Sequence, residues 1–210
     1  MENSHNIAQG SSEWFEARRG KVTASRVADV IAKTKSGWGA SRGNYEAQLI
    51  AEILTGEVAD NFTNAAMEWG TATEPQARKA YEFLKDVDVE EIGFVDHPII
   101  AGTGASPDGL VGANGMLEIK CPNTKTHIDT LLTQKVPKKY DTQMQWQMCC
   151  AGDDRLWTDF VSFDPRLPQH LNMFLKRVER DDKRIAELEG IVSDFIDEMH
   201  VKIKALEDLA

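Results

Sequence analysis

Apolar positions recur at three- and four-residue steps from Asp181 to the end of the chain: Ile185, Leu188, Val192, Phe195, Met199, Ile203 and Leu206. That period predicts one long amphipathic helix whose stripe is core packing. Tyr45 to Leu54 has the same period, with Leu49, Ile50, Ile53 and Leu54 on one side and Gly56 just past the end. Asn64 to Leu84 predicts a long helix or two abutting helices, because Pro75 removes a backbone donor and a break near Thr73–Pro75 follows. Tyr140 to Cys150 is helical in spacing, with Gln143 and Gln147 on one face and Met144 and Met148 on another, as in a half-buried amphipathic helix. Trp14 to Arg19 predicts a short helix ended by Gly20. Thr23 or Ser25 can cap the next one, with Val27, Val30 and Ile31 inward.

Strand signals are shorter. Ile92–Val95 and Pro98–Ala101 precede a hairpin region, and Leu156–Phe163 alternates up to a turn at Asp164-Pro165-Arg166. Leu171–Val178 is the returning strand. Lys35 to Gly43 reads as a basic, glycine-rich loop whose Trp38 either packs locally or lies against a nucleic-acid end, and a lysine-bearing helical connection follows Pro122. Residues 1–12 are polar and expected to be mobile, leaving 13–210 as one domain.

One stretch carries chemistry. In Leu117-Glu118-Ile119-Lys120, apolar and charged residues alternate, so Glu118 and Lys120 share one face of a strand and Leu117 and Ile119 the other. Asp108 lies ten positions before Glu118, with Asn114-Gly115 between them as a hairpin-turn signal. A turn near Gly112–Gly115 brings Asp108 back beside Glu118. Two carboxylates and a strand carbonyl form a hard-oxygen set suited to Mg²⁺ or Mn²⁺. A lysine beside such an ion, its pKa lowered there, can orient or deprotonate a water for phosphodiester hydrolysis. The same spacing also describes a surface hairpin with an exposed salt bridge.

Charge and cysteine usage narrow the partners. The net charge is −10, which by itself argues against nucleic acid. Its distribution does not: seven lysines and arginines face Glu16 and Asp29 between Trp14 and Gly43, and five lysines face Asp129 between Lys120 and Lys139. The tail from Glu179 holds ten acids against five bases. Cys121, Cys149 and Cys150 have no C-x-x-C spacing, so zinc and a disulfide framework are disfavoured and a cytoplasmic setting fits. Cys149 and Cys150 read as small buried hydrophobes, and His97 as a structural residue. No apolar run approaches the roughly 20 residues of a membrane span.

Pro107-Asp108 with Glu118-Ile119-Lys120 resembles the PD-(D/E)XK nuclease signature. Ser106-Pro107-Asp108-Gly109-Leu110 with Leu117-Glu118-Ile119-Lys120-Cys121-Pro122 is similar, more narrowly, to the phage lambda exonuclease family of viral recombinases (YqaJ-like). Trp14-x-x-x-Arg18 followed by Val22-Thr23-Ala24-Ser25, Trp69-Gly70-x-x-x-Glu74 and Gln143-Met144-Gln145 extend the resemblance in family order. The Lys35–Gly43 loop and Asn123–Lys139 match only loosely.

The resemblance implies an α/β (α+β) fold: a restriction-endonuclease-like core, a central mixed sheet flanked by helices, and a long C-terminal helix. It implies a Mg²⁺-dependent exonuclease that digests one strand of duplex DNA from a 5′ end and leaves 3′ overhangs for recombination by strand annealing. Asp108, Glu118 and the Ile119 carbonyl would hold the metal. Lys120 would position or deprotonate the attacking water, Glu74 and Gln143 would orient the surroundings, and Arg18, Ser25 and Ser106 would take the terminal 5′-phosphate. Family members form homotrimeric rings and work beside a phage annealing protein in a bacterial cytoplasm. The alternatives are an endonuclease or single-strand nuclease on the same core, and a non-catalytic DNA-binding recombination mediator.

Overall fold

The computed structural model describes residues 7–59 and 65–209. In chain order the elements are α1 (Ser12–Arg18), β1 (Val22–Thr23), a 3-10 turn (Ala24–Arg26), α2 (Val27–Val30), β2 (Lys33–Thr34), β3 (Gly37–Trp38), α3 (Ala40–Thr55) and α4 (Ala65–Lys85). Then come β4 (Val89–Glu90), β5 (Val95–Asp96), β6 (Thr103–Ala105), β7 (Gly109–Val111) and β8 (Gly115–Lys120). The chain closes with α5 (Thr124–Thr133), α6 (Lys138–Ala151), β9 (Trp157–Phe163), β10 (Met173–Glu179) and α7 (Asp182–Glu207). A five-stranded sheet has the order β10-β9-β8-β7-β4, with β8 and β9 parallel and the other neighbours antiparallel. A smaller sheet, β1-β6-β5, lies beside it. This is the mixed α/β architecture with a long C-terminal helix that the motifs imply.

Strand β8 sets the layers. Leu117 and Ile119 pack with Val161 and Phe163 of β9 against Ala77 and Tyr81 of α4. On the other face, Met144 of α6 packs with Phe160 and Phe174. A third cluster joins Val22, Val27, Val30, Tyr45 and Leu49 to Trp146 and the stripe of α7. That stripe is buried at Ile185, Leu188, Val192, Phe195, Met199 and Ile203, as its period predicts, and only Leu206 is exposed.

Several local expectations change in three dimensions. Helix α4 runs unbroken through Pro75, because burial of Thr73, Ala77 and Tyr81 offsets the cost of about 3 kcal/mol for an interior proline. Asn64, the expected start of that helix, lies outside the described residues. Helix α3 begins at Ala40, so Ser41, Arg42 and Gly43 are helical, and residues 33–38 form a β-hairpin rather than a loop. Trp38 stacks on Arg42 and Lys33, in line with the local-packing reading. On α3 the buried side is Tyr45 and Leu49, while Ile53 and Leu54 are exposed. The strands expected at 92–95 and 98–101 form instead at Val95–Asp96 and Thr103–Ala105, where Thr103 and Gly104 align with β1. Helix α6 is buried on all sides from Thr142 to Cys150 instead of half-buried, since it is wrapped by the sheets and α7.

The turn at Asp164-Pro165-Arg166 joins β9 to β10 as its sequence predicts. The buried Asp164 carboxylate accepts from Arg166 N and Nε and from the Thr124 hydroxyl. Hydrogen bonds from Arg166, then from Thr124, hold the Asp164 pKa down at about 2. A depressed carboxylate stabilises the fold above its unfolded pKa of about 3.9 and loses that contribution as pH falls through the folded value. Asp164→Asn should therefore be less stable than the native chain near neutral pH. The gap in denaturant midpoint should narrow as pH falls from 4 through 2 and close below it; a gap of undiminished size at pH 1 would contradict the assignment.

Candidate active site

The hairpin β7–β8 pairs Gly109 with Leu117 and Val111 with Gly115, so the chain turns at 112–114 as expected near Gly112–Gly115, with Gly112 rather than Asn114-Gly115 taking the left-handed position. One residue beyond the last pair, the Asp108 carboxylate continues the ladder: its Oδ2 accepts from Ile119 N at 2.6 Å. Asp108 therefore sits beside Glu118. The structure shows Ile119 through this amide contact.

Glu118 is fully buried. Gln143 Nε2 donates to its Oε1 and Gln147 Nε2 to its Oε2, both at 2.7 Å. The Lys120 ammonium pairs with Oε1 from two residues along the same strand face. Burial alone would lower the Lys120 pKa, but Glu118 and Asp108 outweigh it and hold the group above its ordinary value. Lys120 is thus held as a charged donor by the two carboxylates, and the lowered pKa expected of it belongs to the cation-bound site. The Asp108 carboxyl is pushed well up, first by burial and then by Glu118 and Glu74.

Glu74, on α4, completes the acidic group. Its carboxyl is raised by burial, opposed by Arg78 and Lys120. Arg78 ties it in place: Nη2 donates to Glu74 Oε1 at 2.8 Å and reaches the Asp108 carbonyl at 3.4 Å, while Nη1 pairs with Glu91 at 2.9 Å. Glu118 pairs with Lys120, and Asp108 and Glu74 lie within electrostatic reach of both. The donors are hard oxygens, so the set fits Mg²⁺ or Mn²⁺.

Upstream residues form a second locus. The Arg18 guanidinium lies 3.8 Å above the Trp14 ring, and its Nη1 donates to Ser106 Oγ at 3.2 Å. Trp14 Nε1 donates to the same oxygen at 2.9 Å, so the Ser106 hydroxyl hydrogen remains to donate elsewhere. Among the described residues no carboxylate pairs with Arg18, whereas Arg19, Lys21, Arg26 and Arg78 all have one. Burial lowers the Arg18 pKa to about 10, against the pull of Tyr45 and Glu52. Ser25 is exposed in the 3-10 turn, its Oγ 3.4 Å from Thr23 Oγ1. Arg18, Ser25, Glu74 and Arg78 line one open cavity of about 1180 Å³. Asp108, Glu118 and Lys120 do not line it, so Glu74 and Arg78 are the link between the two loci.

Sequence reasoning missed Arg78 and the reach of Gln147. An Arg four residues after Glu74 was a visible helix pairing signal, and so was the shared face of Gln143 and Gln147.

A family model, the YqaJ-like viral recombinase domain, matches residues 13–154. The chain belongs to that family. The family assignment agrees with the resemblance carried by the motifs. A crystal structure of LHK-Exo in complex with dAMP is similar at 53% identity and a TM-score of 0.88, covering 94% of this chain and 97% of that one. The alkaline exonuclease LHK-Exo from Laribacter hongkongensis gives 52% identity and a TM-score of 0.87, over 94% and 97% of the two chains. A phage-related exonuclease from Haemophilus somnus 129PT shares the fold at 17% identity and a TM-score of 0.72, over 90% and 96%. No curated protein matches the chain significantly.

A different cluster has the composition of a metal site without its chemistry. His97 Nε2 lies 3.1 Å from Cys149 Sγ and 3.3 Å from Glu189 Oε1. But His97 Nδ1 accepts from the amides of Ile99 and Ile100, at 3.2 and 3.0 Å. The ring hydrogen is therefore on Nε2, where it donates to this cluster, and no lone pair is left there for a metal. Burial also lowers the His97 pKa, against the pull of Glu189. The structural role expected of His97 follows. Ring nitrogen shifts in NMR at pH 8 should report the Nε2–H tautomer and stay unmoved by added Zn²⁺; a zinc-dependent shift at Nε2 would overturn the reading.

Proposed function

We propose that this chain is a Mg²⁺-dependent 5′-to-3′ exonuclease on duplex DNA, releasing 5′-mononucleotides and leaving 3′ overhangs for phage-type recombination by annealing. The observation that carries the proposal is the buried Glu118 beside Asp108 and Lys120, joined through Glu74 and Arg78 to a cavity that holds Arg18, an arginine with no carboxylate partner among the described residues. A relative of 53% identity crystallised with dAMP, a mononucleotide, which supports the product class.

Asp108, Glu118 and the Ile119 carbonyl are the residues that would hold Mg²⁺. When bound, the ion supplies Lewis acidity for phosphoryl oxygens and a more acidic water. Glu118 is kept oriented by Gln143. Lys120, an ammonium, donates to the attacking water or to a phosphoryl oxygen. It can take a proton only after losing its own. Glu74, steered by Arg78, faces the same space. Arg18 and the Ser106 hydroxyl offer donors to a terminal 5′-phosphate, with Ser25 at the cavity wall. An arginine fork suits phosphate oxygens, and such contacts set where digestion begins.

Linear duplex with 5′-phosphate ends should be digested in Mg²⁺ with release of mononucleotides from the 5′ side. Ends bearing 5′-hydroxyl should be cut at least about tenfold more slowly, the scale of one lost charge-assisted contact. Asp108→Ala should abolish digestion, and Arg18→Met should erase the preference for phosphate. Cleavage of covalently closed circles would instead favour an endonuclease. Equal rates on both end types would remove the phosphate pocket, and an active Asp108→Ala would leave a non-catalytic reading of this site.

A homotrimeric ring acting beside a single-strand annealing protein fits the net charge of −10, because an encircling enzyme needs less counterion-release affinity for DNA. Light scattering should give three times the 23.4 kDa chain mass; a monomer would exclude the ring.

A further inference from the structure

Gln143, Gln145 and Gln147 leave α6 toward different surroundings. Gln145 turns to the start of α7, where Nε2 donates to the Glu179 carbonyl at 2.8 Å and Oε1 accepts from Asp181 N at 2.9 Å. Both ends of that amide are satisfied, and they fix the rotation of α6. Gln143 and Gln147, one turn apart, are thereby aimed at β8. They take different oxygens of Glu118: Gln143 the one that Lys120 also contacts, Gln147 the other. Among the described residues, Gln147 is the side-chain partner of Oε2.

Gln147 is a poor packing residue. It is fully buried between Trp146 and Met148, both also fully buried. Its Oε1 has no hydrogen-bond partner among the described residues. A buried acceptor left unpaired is costly, and a methionine of similar length would fill the space without that cost. What the amide gains is a short bond to a charged carboxylate, the strong kind of hydrogen bond. A local rule broken in this way points to the site it serves.

We propose that Gln147 is a positioning residue for the nuclease reaction. With Gln143 it clamps both oxygens of Glu118, so that the carboxylate cannot rotate about its broad terminal torsion and presents a fixed edge to the cation and to Lys120. This rests on the metal-site reading above.

Two variants test it. Gln147→Met keeps the length and removes the donor; Gln147→Asn keeps the amide and is one methylene too short to reach. Calorimetric titration of the DNA-free protein with Mg²⁺ and with Mn²⁺ gives cation affinity, and the Mg²⁺ dependence of digestion gives the kinetic counterpart. Thermal melts establish that each variant is folded. Each should bind the cation about tenfold more weakly and need correspondingly more Mg²⁺ for half-maximal rate, with most activity recovered at saturation. Native affinity and native Mg²⁺ dependence in either folded variant would overturn the role of Gln147. Asp108→Ala, run alongside, separates the two failures: if it too binds the cation and digests DNA normally, the site reading itself is wrong.

Discussion

A carboxylate removed from water must be compensated on the spot, and Glu118 at 0% exposure is the constraint that the other features answer. Its charge is met by Lys120 and by two glutamine amides from one helix. That demand explains why α6 carries polar residues while buried on all sides. One face of the helix must reach a charge in the interior. The remaining faces then have to be covered by apolar neighbours: Met144 against Phe160 and Phe174, and Trp146 within the cluster of α2, α3 and α7. The long C-terminal helix closes the last side, and Gln145 sets the rotation between them.

The hairpin was legible because its determinants are local. Alternation assigned Glu118 and Lys120 to one face, and the glycines at 112–115 located the turn to within a residue, although it closes at 112–114 with Gly112 left-handed and Gly115 already in β8. The long stripe of α7 was legible for the same reason. Other features depended on distant partners. Ser106 meets Trp14 and Arg18 across 92 and 88 positions, and no spacing rule joins them; family resemblance supplied that link. The strands near 92–105 were displaced because pairing with β1, not the apolar run, fixes where they form. Gln143 and Gln147 were seen to share a face, but nothing local said that the face meets a carboxylate. At Pro75 the local rule was correct in sign and was outweighed by packing farther along the helix.

Helix α4 gives the two polar loci a common support. Its Ala77 and Tyr81 rest on the sheet beneath β8, while Glu74 and Arg78 project toward the cavity and the Asp108 carbonyl. A shift of this helix would therefore move the cavity wall and the acidic cluster together. In the reading proposed above, α4 is the element that joins the phosphate-binding residues to the acidic cluster.

Gly109 and Gly115 bracket the hairpin and share one property: a Cβ at the first would collide with Val89 of β4, and at the second with the Trp157 ring of β9. Neither has a left-handed backbone that would reserve it for glycine. What excludes larger residues is the neighbour. Asp108 directly precedes Gly109, so an added methyl there would lever the carboxylate away from Ile119 without altering any polar group. The hairpin is consequently constrained from its edges: the side chains of Val89 and Trp157 leave no room for a Cβ at either glycine, though neither residue is among those proposed to take part in the chemistry.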